Sequence, residues 1–244
     1  MKLTDNTKVH CFFEQSGAFK KAFRRLGYTA LDYDLKNDFA QTDVIIDLFE
    51  QIKLAYYNRA SIFDNITPED LIFAFFPCIY FSQYNQLFFR GDSVNFQEIA
   101  APEKIETIIE RSRNREIFYE VLLMLCYVCE RRNLRLIIEN PYSPNHYLIN
   151  NFPYRPSVID WDRSKRGDYF KKPTMYIFVN CTAHQGLQSI DRKYTPQRIE
   201  YFSGCKTGGT CNVERSMISP EYAENFINDY ILGRKTPKTE LTLF

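Results

Sequence analysis

Short apolar runs alternate with helix-patterned stretches over residues 1–140, and this alternation constrains the fold more than any other feature. Such an order builds βα units, and these pack as a mostly parallel sheet with helices on both faces, an α/β fold. Residues 9–13, 28–31, 44–46 and 71–76 read as the first four strands, and residues 134–138 as the fifth. Between the first two lies a helix with Phe19, Ala22, Phe23 and Leu26 on one face, stopped by Gly27. A helix through Leu48, Ile52 and Ala55 follows the third strand. A long helix opens at Pro102, with Ile105, Ile108, Ile109, Phe118, Val121, Leu122, Leu125 and Val128 expected to face the core.

Beyond residue 141 the pattern loosens. Residues 158–161 and 175–179 are candidate strands, and residues 181–216 are loop-like and glycine-bearing. The closing helix is well punctuated: Ser219 caps it, Pro220 takes its first position, and Gly233 ends it. Tyr222, Phe226, Ile227, Tyr230 and Ile231 form its apolar stripe.

With 45% hydrophobic and 25% charged residues among 244, the chain has the composition of a globular protein. It lacks the ~18 uninterrupted apolar residues of a membrane span, and its polar first residues lack a signal-peptide pattern. Seven cysteines without a secretion signal therefore predict free thiols and a cytoplasmic location. The net charge of +1 hides an asymmetry: residues 1–110 sum to −5 and residues 111–244 to +6. A basic C-terminal half is compatible with a polyanionic partner. Oligomeric state is not legible.

Open α/β sheets place their chemistry beyond the carboxyl ends of the strands. Four strand ends here present polar or reactive groups at one edge. The first leads through Phe13 and Ser16 to Gly17, a turn tight enough for a ligand to approach backbone. The second ends in Asp32, an acid suited to ribose hydroxyls, with Asp34 close behind. The fourth ends in Pro77-Cys78, a thiol able to act as a nucleophile once ionised. The fifth ends in Glu139-Asn140-Pro141.

These residues resemble a known family, the DNA cytosine-5 methyltransferases, and within it the short, phage-type branch. The family's first motif, Phe-x-Gly-x-Gly-Gly-Phe, reaches a helix-ending Gly fourteen residues after its Phe. Phe13 and Gly27 have that spacing, and Gly17 and Phe19 fall on motif positions. The nucleophile motif, Pro-Cys followed by Phe-Ser, is matched by Pro77-Cys78-Ile79-Tyr80-Phe81-Ser82, and Glu-Asn-Val by Glu139-Asn140 with Pro141 in third place. Lys171-Lys172-Pro173-Thr174 and Glu214-Arg215-Ser216 also resemble family segments. Gln15 and Ala18 replace two motif glycines, Phe76 and Tyr80 depart around Pro-Cys, and no Gln-x-Arg-x-Arg is visible, leaving Lys171 and Lys172 as substitutes.

The resemblance implies a Rossmann-like class I methyltransferase fold with a small loop-rich insert near the C-terminus. Residues 1–180 would form the catalytic domain, residues 181–216 a short target-recognition region, and residues 217–244 a returning helix and tail. It implies S-adenosylmethionine as cofactor and DNA, with a flipped cytosine, as substrate, as in restriction–modification systems. Cys78 would add to cytosine C6 while Glu139 assists at N3; Asn140 would orient the Glu loop and Pro77 shape the nucleophile turn. Phe13, Ser16 and Gly17 would line the cofactor, Asp32 hold its ribose and Asp47 lie near its adenine, with Asp34 and Asp43 in reserve. Nucleic-acid contacts would fall to Arg163, Lys165, Arg166, Lys171, Lys172, Lys206 and Arg215.

Two other readings stand beside it. Asn140-Pro141-Tyr142 also resembles the Asn-Pro-Pro-Tyr motif of amino-methyltransferases, which leaves Pro77-Cys78 unexplained. A non-enzymatic nucleic-acid-binding protein on the same scaffold would explain the lost glycines. No metal is expected; free cysteines are a better reading of Cys181, His184, Cys205 and Cys211 than an irregular zinc site. Cys126 and Cys129 read as packing residues of the long helix.

Overall fold

A computed structural model describes residues 1–184 and 217–234 of the chain. The strands are β1 (Lys8–Phe12), β2 (Thr29–Asp34), β3 (Val44–Ile45), β4 (Leu71–Ala74), β5 (Arg135–Pro141), β6 (Val158–Asp160) and β7 (Thr174–Val179). They form one sheet in the order β3-β2-β1-β4-β5-β7-β6. The first five are mutually parallel, and β7 runs antiparallel to both β5 and β6.

Alternation along the strands supplies two cores. Val9, Cys11, Leu71, Phe73 and Ile137 point into one, with α1 (Ala18–Arg25) and α6 (Pro220–Phe226). Phe12, Ile72, Ala74, Leu136 and Ile138 point into the other, with α2 (Leu48–Tyr56) and α4 (Ala101–Arg131). Strands buried on both faces read as continuous apolar runs, as residues 71–76 do. Helices cover both faces, as expected.

The closing helix follows its punctuation. The Ser219 hydroxyl accepts the Tyr222 amide at 2.9 Å, Pro220 opens α6, and Phe226 packs against Phe19 and Phe73. Past Phe226 it widens into a π-helix, Ile227–Leu232, before Gly233 turns left-handed at φ 64°.

Several boundaries differ from the sequence expectation. β2 begins one residue later and runs on to Asp34, and β5 continues through Glu139, Asn140 and Pro141 because β7 pairs with them. Glu139 therefore sits in a ladder, opposite Tyr176. Along α4 the residues buried in the core start at Val121, while Ile105 and Ile109 are 57% and 44% exposed, against expectation. A helix of 31 residues is ~46 Å long and overruns strands of ~7–23 Å. Its projecting half meets α3 (Tyr84–Phe89) through arginine, with the Arg111 guanidinium 4.4 Å from the Phe88 ring centroid. Neither α3 nor α5 (Tyr147–Asn151) was anticipated.

Candidate functional site

The strand order reverses between β1 and β4, since β2 lies on one side of β1 and β4 on the other. That switch point opens a crevice at the carboxyl ends of the strands. A cleft of about 510 Å³ occupies it. Its walls come from the loop after β1 (Phe13, Glu14, Gln15, Ser16), the end of β2 and the turn beyond (Asp34, Asp38, Phe39), the loop after β4 (Phe75, Phe76, Pro77, Cys78) and the end of β5 (Glu139, Pro141). Arg163, Lys172 and the re-entering Met217 and Ile218 complete it. Residues distant in sequence, Phe13, Ser16, Cys78 and Glu139 among them, thus share one cavity.

The loop after β1 is held tightly. Phe13 has φ 59° and donates its amide to the Tyr33 carbonyl at 2.8 Å. Gly17 caps α1 at φ 66°, and a Cβ there would lie 3.2 Å from Lys20 Cε, so a side chain would be both strained and crowded. Gly17 itself does not line the cleft.

Glu14 is the residue that sequence reading missed. Its two carboxylate oxygens accept the Phe19 amide at 2.7 Å and the Lys20 amide at 3.1 Å, and Ser16 Oγ accepts the Ala18 amide at 3.4 Å. The open N-terminus of α1, ordinarily a phosphate site, is thereby filled by the chain's own oxygens. Burial pushes the Glu14 carboxyl up to about 7, against the pull of those two amides. An acid just before a helix whose capping residue is glycine was the available signal.

Asp32, expected to hold a ribose, does not line the cleft. It is fully buried, paired with Lys20 Nζ at 2.9 Å, and accepts the Asp43 amide at 2.6 Å. Lys20 also pairs with Asp43 at 3.3 Å, and Asp43 with Arg24 at 2.8 Å; Asp43 does not line the cleft either. Asp34, at the true tip of β2, takes the place at the cleft. Asp47 is the N-cap of α2, accepting the Phe49 amide at 2.9 Å and the Glu50 amide at 3.2 Å, and does not line the cleft.

At the other end, Asn140 ties the two reactive loops together. Its fully buried side-chain amide donates to the Phe76 carbonyl at 2.9 Å and the Glu139 carbonyl at 2.6 Å. Cys78 is half-buried; its carbonyl accepts the Phe81 amide at 2.9 Å and the Ser82 amide at 3.2 Å, closing the turn after β4. Burial raises its thiol above the ordinary value, while Lys172 pulls it down and Glu139 pushes it up. Burial likewise raises the Glu139 carboxyl, with Lys172 and then Arg163 opposing. The two acids are therefore coupled: a neutral Glu139 favours the Cys78 thiolate.

The expected basic cluster divides in three. Arg163 is buried, ion-paired to Asp168, 4.0 Å from Glu139 Oε1 and 4.7 Å above the Tyr222 ring. It is a cleft residue and not a surface phosphate ligand. Arg166 is bound to Asp160 at 3.0 Å, to the Tyr230 hydroxyl at 2.7 Å and to Asp229, strapping β6 to the closing helix. Lys172 lines the cleft, whereas Lys165 and Lys171 are exposed outside it. Lys206, Arg215, Cys205 and Cys211 lie outside the described residues, as does most of the expected recognition region.

His184 Nε2 lies 2.7 Å from the Met1 carbonyl, and Cys181 Sγ lies 3.7 Å from the Leu136 carbonyl. Among the described residues no cluster suited to a metal ion occurs, and no helix is long and apolar enough to cross a membrane. No family model matches the chain, and no curated protein matches it.

Proposed function

We propose that the protein is an S-adenosylmethionine-dependent DNA cytosine-5 methyltransferase, with Cys78 as nucleophile and Glu139 as its acid. The observation that carries this reading is the meeting of Cys78, Glu139, residues 13–16 and Asp34 in one cleft at the switch point. The fold supports it. The resemblance implies a mostly parallel sheet with helices on both faces, and this sheet is mostly parallel, with β7 alone reversed between β5 and β6.

The cofactor end fits a cation better than a phosphate. Glu14, Asp34 and Asp38 line it, Phe13 and Phe39 supply apolar surface, and α1 has no free amide for a pyrophosphate. S-adenosylmethionine carries a sulfonium and an ammonium and has no phosphate. Asp34 would hold the ribose, and Glu14 and Asp38 would favour the positive charge. When bound, the cofactor supplies an electrophilic methyl group.

The residues of the chain account for the remaining chemistry. Cytosine C5 is a poor nucleophile until a group adds at C6. The Cys78 thiolate forms that S–C6 bond, and a protonated Glu139 donates to N3, so the electron pair does not accumulate on the ring unsupported. Raised by burial, Glu139 is suited to hold that proton. Arg163, fixed by Asp168, positions the Glu139 carboxyl. Once C5 carries the methyl group, solvent water takes the C5 proton, the C–H electron pair re-forms C5=C6 as the S–C6 bond breaks and Cys78 leaves as thiolate, and N3 returns its proton to Glu139. A base enters such a cleft only when turned out of a duplex or already unpaired.

The amino-methylation reading would hold the amine on the Asn140 side-chain oxygen; that oxygen is unpartnered among the described residues, but Asn140 is fully buried and does not line the cleft. Labelled S-adenosylmethionine and cytosine-containing DNA test the choice. The proposal expects labelled 5-methylcytosine, lost to background in Cys78→Ala. An N4-methylated product that survives Cys78→Ala overturns it. Absence of S-adenosylmethionine binding by calorimetry would instead favour a non-enzymatic binding protein.

A further inference from the structure

A second cavity, of about 260 Å³, lies on the far side of the nucleophile loop. Tyr80, Phe81 and Ser82 form one wall, continuous in sequence with Cys78, and α3, α4 and α5 form the rest. Its chemistry is distinct from that of the cleft: no carboxylate lines it, and two arginines do, Arg90 and Arg115.

Arg115 is held between two rings, 4.3 Å from the Phe89 centroid and 4.7 Å from that of Tyr147. Neither Arg90 nor Arg115 has a carboxylate partner among the described residues. Beside them stand three fixed amides. Gln86, Asn150 and Asn151 donate their NH₂ groups to the carbonyls of Asn145 (2.8 Å), Pro144 (3.3 Å) and Tyr147 (2.9 Å). Their side-chain oxygens therefore remain as acceptors. Two unpaired cations next to rigid acceptors and aromatic walls recognise an anion joined to a planar donor-bearing group, which describes a nucleotide.

We propose that this pocket holds a nucleotide neighbouring the target base in a single strand, its phosphate on Arg90 and Arg115 and its base edge on the amide oxygens. The proposal rests on the cytosine methyltransferase reading for the identity of the target base and for the position of the reacting base over Cys78. It does not need methyl transfer to occur. The pocket would fix the register of the strand, so that one base is presented to the cleft.

The test is fluorescence anisotropy of the full chain with a labelled short single-stranded oligodeoxynucleotide carrying one cytosine, titrated between about 50 and 200 mM salt. Arg115→Gln and Arg90→Gln should each bind roughly tenfold more weakly, with the slope of log K against log salt shallower by about 0.7. Arg90 is exposed, so its replacement leaves the fold intact even if Arg115→Gln does not fold. Lys53→Gln, on α2, is the control and should lose neither affinity nor slope.

Unchanged affinity in Arg90→Gln, an unchanged slope, or an equal loss in Lys53→Gln overturns the proposal, as does failure of the wild type to bind. The two readings fail separately. Arginine-dependent binding without methylation defeats the enzyme and leaves the pocket standing. Methylation that is indifferent to both arginines defeats the pocket alone.

Discussion

Cys78 and Glu139 share one electrostatic environment, and Lys172 is the cation both feel most. Burial makes each prefer its neutral form, so placing one negative charge in the cleft is far easier than placing two. Lys172 biases the site toward holding that one charge. The thiolate is the reactive form of cysteine, so alkylation of Cys78 by iodoacetamide, followed by peptide mass spectrometry, reports its ionisation. Replacing Lys172 by Met removes a charge that lowers the thiol pKa, so the alkylation midpoint should move to higher pH. Glu139→Gln removes a charge that raises it, and the midpoint should move to lower pH. Each displacement should be about half a pH unit or more. Midpoints that stay fixed in both variants would show that the two groups do not share the cleft.

At the scale of the element, the lengths of β2 and β5 decide which residues meet. β2 reaches Asp34, so Asp32 lies within the strand, buried against Lys20, and Asp34 stands at the cleft. The two acids should therefore fail in different ways. Asp32→Asn leaves a buried ammonium with the Gln41 carbonyl and a single carboxylate, Asp43, 3.3 Å away. Breaking a buried pair costs about 3 kcal/mol even at the lower end of its range, a drop in Tm of roughly 6–12 °C for a chain of this size. Asp34→Asn should leave Tm nearly unchanged and weaken S-adenosylmethionine binding by about 10- to 100-fold. Thermal unfolding and calorimetry on both variants check the assignment. A stable Asp32→Asn protein, or an Asp34→Asn protein with full affinity, contradicts it.

The same strand ends show what sequence alone conveys. The existence of the five parallel strands, and of Pro77-Cys78 and Glu139 at one edge, was legible because apolar runs and turn residues are local signals. The choice of Asp34 over Asp32 was not. It depends on three further residues of strand pairing, with Val44 and Ile45 of β3 alongside, which no local pattern marks. Glu139 in a ladder was hidden for the same reason, since its partner Tyr176 lies in a strand reached much later in the chain. The basic residues at 163 and 166 looked alike in sequence. Only packing shows that Asp168 and Asp160 claim them.

For the whole molecule, the reversed β7 and the helix after residue 217 matter most. β7 pairs with the end of β5 and so fixes Glu139; α6 packs on α1 and on the sheet, with Ser219 bonded to Asp168 at 2.9 Å. Asp168 holds Arg163, and Arg163 stands beside Glu139. A continuous set of polar contacts thus runs from the closing helix to the candidate acid, on a sheet whose other half carries the loop after β1. The switch-point cleft is where these halves meet, and the proposed chemistry there is addition of Cys78 to C6 of a cytosine. DNA containing 5-fluorocytosine tests that addition, because fluorine cannot leave as the C5 proton does and the adduct persists. With S-adenosylmethionine present, a covalent protein–DNA species should form that survives denaturation, maps to Cys78 and disappears in Cys78→Ala. Its consistent absence across varied sequences, or an adduct at another cysteine, would overturn the proposed role of Cys78.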